Sequence, residues 1–104
     1  MQKLRYWEDY VCHMIREYLK TPEKLDVTTV TPFARSNWVA VQAVWYKLDE
    51  LDKVLVESVC KEGTHRKFRE IVEEYTQKTG TDYKKNVERY NRIIKLIAKT
   101  RQLI

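Results

Sequence analysis

One hundred and four residues, 43% of them apolar and only two glycines and two prolines among them, fit a single, mostly helical domain that can bury a core without disulfides. No apolar run is long enough to span a membrane and no hydrophobic leader opens the chain, so the reading is a cytoplasmic protein with reduced thiols and no membrane partner. The net charge of +5 is unevenly placed: residues 1–62 hold 9 basic and 10 acidic side chains, residues 63–104 hold 11 and 5. Such asymmetry points to a polyanion as partner of the second part.

In chain order, Leu4, Trp7, Val11, Met14 or Ile15, and Tyr18 repeat at helical spacing and predict a first helix ending at about Lys20, before Thr21-Pro22. Residues 1–33 then form an N-terminal helix and loop. The loop, Thr21 to Phe33, holds both prolines and the β-branched run Val27-Thr28-Thr29-Val30-Thr31, which disfavours helix and suits a short extended stretch. Helical spacing resumes from about Ser36, with Trp38, Val41, Trp45 and Leu48 on one face. Asp49 reads as an N-cap for a new stripe of Leu51, Val54, Leu55, Ser58 and Val59. Without a glycine or proline at that point, one continuous helix from Ser36 to Lys61 is the alternative, so the count is five helices or four. Gly63 ends this part and Thr64 caps a helix running to Thr79 with Phe68, Ile71, Val72 and Tyr75 inward.

After Gly80, with Thr81 or Asp82 as N-cap, the last helix carries the stripe Tyr83, Val87, Tyr90, Ile94 and Ile97, with Ile93 and Leu96 beside it. Its other positions hold Lys84, Lys85, Arg89, Arg92, Lys95, Lys99 and Arg101 against one acid, Glu88. Helix, short glycine turn and basic helix, at 64–101 within a unit spanning 34–104, make the helix-turn-helix pattern, whose second helix enters the DNA major groove. Trp38, Trp45, Leu48, Leu55, Phe68, Ile71, Val87, Ile94 and Ile97 are expected in the core of an all-α bundle.

No catalytic constellation is present, whether a glycine-rich phosphate loop, Gly-x-Ser-x-Gly or His-Glu-x-x-His, and the reading is of a protein that is not an enzyme. Cys12 and Cys60, with His13 and His65 nearby, lack zinc-finger spacing, so no metal and no cofactor is assigned and the two thiols are expected to be unbonded.

The run Leu48 to Lys53, the turn Thr79-Gly80-Thr81-Asp82, the stretch Tyr83 to Tyr90, and the apolar Ile93-Ile94-Lys95-Leu96-Ile97-Ala98 with Leu103-Ile104 resemble phage late-gene transcriptional regulators of the RinA and ArpU type. That family is similar in fold to region four of bacterial sigma factors, and the resemblance covers roughly residues 38–104. Thr76 and Thr79 stand where the family carries a small and an apolar residue. The resemblance implies a DNA-binding regulator in a bacterial host, with duplex DNA and RNA polymerase as partners. Many such readers act as homodimers on paired half-sites. Carried over by position, Asp82 caps the recognition helix, Tyr83, Lys84, Lys85 and Asn86 face the bases, and Arg89 and Arg92 reach flanking phosphates. The alternative is a small helical protein for protein–protein interaction or phage assembly, whose basic helix is only a solvated face and whose heavy aromatic load meets a partner chain.

Overall fold

Five α-helices make up the regular structure of residues 6–20 and 31–104, the part of the chain that this computed structural model describes. Helix α1 (Tyr6–Lys20) buries Val11, Met14, Ile15 and Tyr18 at spacings of three and four, as its period requires. Its expected start at Leu4, and the loop through Val30, lie outside the described residues.

Thr31, extended at φ −75° and ψ 160°, is the N-cap of α2 (Pro32–Trp45). Its hydroxyl accepts from the Ala34 amide at 3.1 Å, and Pro32 occupies the first turn, where no backbone donor is needed. The helix thus begins ahead of the expected Ser36. It unwinds through Tyr46 to Leu48, with Lys47 and Leu48 amides bonded three residues back at 3.1 Å each. Asp49 then caps α3 (Glu50–Glu62), accepting from the Asp52 amide at 2.8 Å. Of the two readings of this region, the broken one holds: the cap stops the helix without glycine or proline.

Gly63 keeps a helical φ of −63°, and what requires glycine there is space, since a Cβ would lie 2.5 Å from the Val59 carbonyl oxygen. Thr64 does not cap the following helix. Residues 63–67 form a turn strapped by Arg66, whose guanidinium reaches Glu62 at 2.7 Å and Glu74 at 2.8 Å, and α4 (Phe68–Thr79) starts behind Lys67 with no side-chain cap. Gly80 takes the left-handed conformation (φ 66°), and the Gly80 and Thr81 amides both return to the Thr76 carbonyl, at 2.9 and 3.3 Å. Asp82 then caps α5 (Tyr83–Thr100) through the Lys85 amide at 2.9 Å.

Helix α5 is the hub and packs against all four other helices. On one side α3, α4 and α5 each touch the other two; on the other, α1 and α2 lie on each other and on α5, and α1 also packs across α3. Trp45, Leu55, Ile71, Ile94 and Ile97 are buried in the shared core, while Trp38, Leu48, Phe68 and Val87 are half-buried at its edge. The chain leaves α5 through Gln102, a non-glycine residue at φ 67°, so that the Leu103 amide can reach the Ala98 carbonyl at 2.8 Å and its side chain can close over the core. Glycine adopts that conformation without a Cβ clash, so Gln102→Gly is expected to raise stability by roughly 0.5–1 kcal/mol in a urea titration. A lower midpoint would contradict it.

Candidate nucleic-acid interface

Helix α5 divides cleanly by its 3.6-residue period. Asn86, Tyr90, Ile93, Ile94, Ile97 and Ala98 face inward; Lys84, Lys85, Glu88, Arg92, Lys95 and Lys99 face solvent. At 100° per residue the five exposed cations fall within an arc of roughly 100°, and from Lys84 to Lys99 the strip is about 22 Å long. Glu88 is the one acid on it. Ion pairs occupy Arg66, Arg69 and Lys78 around α4 with Glu62, Glu73 and Glu74, so the positive surface belongs to α5 and does not extend over its neighbour. Lys84, Lys85, Lys95 and Lys99 have no ion-pair partner among the described residues.

The residues expected to meet DNA do not stay together. Asp82 caps α5, and Lys84, Lys85 and Arg92 are exposed on the strip. Asn86 does not face outward to bases: it is 1% exposed, and both N–H groups of its amide are spent, on the Thr76 hydroxyl at 2.9 Å and the Thr81 hydroxyl at 2.8 Å. Tyr83 also turns inward and packs half-buried against the core. Lys95 and Lys99, absent from the expected interface, complete the strip instead, and the seven-residue repeat Lys85, Arg92, Lys99 is the signal that places them there.

Arg89 is held back toward α3. Its Nε lies 3.2 Å from Asp52 Oδ1, with the arginine side chain 33% and the aspartate 17% exposed. The approach lacks hydrogen-bond alignment, and that oxygen accepts no hydrogen bond among the described residues. Burial raises the Asp52 pKa and the Asp49 charge adds to it, while Arg89 and then Arg92 pull it down. Beside them the Tyr75 hydroxyl donates to the Leu51 carbonyl at 2.9 Å, and burial raises its pKa as well. Arg89 is therefore a clamp between α5 and α3, not a free phosphate ligand.

Thr76 and Thr79, which stand where the family pattern has a small and an apolar residue, belong to one hydroxyl network at the turn. Thr79 donates to the Tyr75 carbonyl at 2.8 Å and lies 2.6 Å from the Thr81 hydroxyl, while Thr76 and Thr81 both receive the Asn86 amide. Polar groups hold the turn end of the helix pair, while Phe68 and Tyr90, with ring centroids 5.2 Å apart, join α4 to α5 farther from it.

No family model, curated protein or solved structure matches the chain. Among the described residues, no three of His, Cys, Asp and Glu are grouped to hold a metal ion, and no helix is long and apolar enough to cross a membrane.

Proposed function

We propose that the protein is a DNA-binding transcriptional regulator of phage or prophage origin that lays the outer arc of α5 against duplex DNA. One observation carries the reading: five solvent-facing cations, Lys84, Lys85, Arg92, Lys95 and Lys99, share one helix face with a single acid. Lysine and arginine on such a strip neutralise phosphates and release counterions, which makes affinity fall steeply with salt. The tri-helical packing of α3, α4 and α5, with a left-handed glycine between the last two, fits a helix-turn-helix unit that presents α5. Base contacts then fall to Lys84 and Lys85 near its start and to Asn91, an exposed amide about one and a half turns beyond the buried Asn86. The resemblance to phage late-gene activators supports transcription as the process, RNA polymerase as a second partner and a dimer on paired half-sites.

Fluorescence anisotropy with a labelled random duplex tests this through Lys85 and Lys99, which lie outside the core. The double variant Lys85→Ala, Lys99→Ala is expected to keep its helical content, bind more weakly, and lower the slope of log K against log salt by about two, near one per lost phosphate contact. An unchanged affinity and slope would remove the strip from the DNA interface. Arg89→Ala is the contrasting variant, expected to act on stability through Asp52 and to leave the slope nearly unchanged.

The protein-interaction reading has one observation of its own. Val39 and Tyr46, seven residues apart on one side of the α2 region, are 53% and 68% exposed. A partner there would be an apolar helix face, and Tyr46→Lys would disrupt its binding without changing DNA affinity.

A further inference from the structure

Cys12 on α1 and Cys60 on α3 are both free thiols, yet the Cys60 Sγ–H donates to Cys12 Sγ at 2.8 Å. The approach remaining to bonding distance, about 2.0 Å, is under about 1 Å. Two further groups surround the pair. The Tyr90 hydroxyl of α5 is 3.3 Å from Cys12 Sγ, and Arg16 donates to the Cys60 carbonyl at 2.8 Å, which anchors its guanidinium beside the sulfurs at the end of α3. A cavity of about 500 Å³ opens onto them, lined by Asp9, Cys12, Arg16, Cys60, Phe68 and Tyr90 among others.

The two sulfurs are not equivalent. Cys12 is half-buried, whereas Cys60 is 1% exposed, so a reagent in the cavity meets Cys12 first. The Cys60 hydrogen bond, followed by the Tyr90 hydrogen bond and the Arg16 charge, holds the Cys12 pKa down to about 7 against burial and the Asp9 charge. Cys60 is pushed up, first by its hydrogen bond to Cys12, then by burial and the Cys12 charge. Two of these three causes vanish once Cys12 is capped.

We infer that Cys12 and Cys60 are a thiol–disulfide exchange site for small disulfides, with Cys12 as the attacking sulfur and Cys60 as the resolving one. The Cys12 thiolate attacks one sulfur of the disulfide RSSR; that S–S bond breaks, and RS⁻ leaves and takes a proton from water. Cys60 then loses its proton to solvent and attacks Cys12 Sγ. The Cys12–Cys60 bond forms, the mixed disulfide breaks, and the second RS⁻ leaves. Two protein thiols are oxidised and one disulfide is reduced to two thiols, with no further reagent. The cavity borders the DNA-facing side of α5 at Asn91, but neither sulfur belongs to the cationic strip and the exchange chemistry does not depend on DNA binding.

The test uses the reduced full chain with glutathione disulfide, quenched in acid and read by intact mass and by peptide mapping without reductant. Wild type is expected to become lighter by two hydrogen masses, carry no glutathione, and yield one cross-linked Cys12–Cys60 peptide pair. Cys60→Ser is expected to stop with one glutathione on Cys12, and Cys12→Ser to react at least roughly tenfold more slowly, because Cys60 is buried. The wild-type product decides the matter even if a variant folds poorly. A stable adduct of two glutathiones, or no reaction of folded wild type while the urea-unfolded chain reacts, would overturn the inference. So would a folded Cys12→Ser variant that reacts at the wild-type rate.

Discussion

Replacing Asn86 with Ala is expected to lower the unfolding free energy by about 3 kcal/mol, from two lost buried hydrogen bonds at about 1 kcal/mol each and the cavity left by the side chain. Asn86 is the one buried polar side chain among the described residues, and its amide spans α4 and the turn through Thr76 and Thr81. Losing it removes the polar tie between α4, the turn and the start of α5, which the left-handed Gly80, having no side chain, does not replace. Urea unfolding of Asn86→Ala, Thr76→Ala and the double variant measures this directly. A coupling above about 0.5 kcal/mol is expected for residues bonded to each other. A variant within about 0.5 kcal/mol of wild type, but with altered DNA affinity, would return Asn86 to the base-reading surface.

Closing the Cys12–Cys60 bond is expected to stabilise the fold by about 4 kcal/mol, because residues 48 apart in sequence become linked and the unfolded chain loses that loop's entropy. The sulfurs already touch in the folded state, so little native geometry has to change. Guanidinium unfolding of the oxidised and reduced chains should show the oxidised midpoint well above the reduced one. The double variant Cys12→Ser, Cys60→Ser should unfold identically under both conditions. Coincident curves for oxidised and reduced wild type would contradict a bond that fits the fold.

The all-α architecture was legible because burial on a helix repeats every 3.6 residues and the chain's apolar residues follow that repeat. Ile94 and Ile97 are buried as the stripe of α5 required. The apolar stripe Tyr83, Val87, Tyr90, Ile94 and Ile97 lies only about 20° from the centre of the buried arc, so apolar spacing alone places the inward face of α5 but not every member of it. Asn86 shares the inward spacing of Tyr90, Ile93 and Ile97, and only its polarity hid it. The start of α2 is hidden in the sequence for a related reason: Thr31 ends a β-branched run that disfavours helix, although a threonine cap followed by proline opens helices. Contacts between elements left no local trace. Neither the Arg89–Asp52 clamp nor the meeting of Cys12 with Cys60 follows from any period or motif, since each depends on how α1 and α5 lie across α3. The cationic strip was legible as charge asymmetry, but the exposed face needed burial to define it: burial takes Asn86 and Tyr83 off that face and Arg89 to its edge, and leaves Lys95 and Lys99 on it.

The most direct test of DNA binding by α5 is the wild-type protein titrated into a labelled random duplex at about 50 and 200 mM salt, with the affinities compared on a logarithmic scale. With about four to five phosphates neutralised by the strip, affinity is expected to fall by roughly two to three orders of magnitude between the two concentrations, in line with a slope near one per contact. No binding at the lower salt concentration, or binding that does not weaken at the higher one, would contradict a phosphate-tracking α5 and leave its lysines as a solvated helix face.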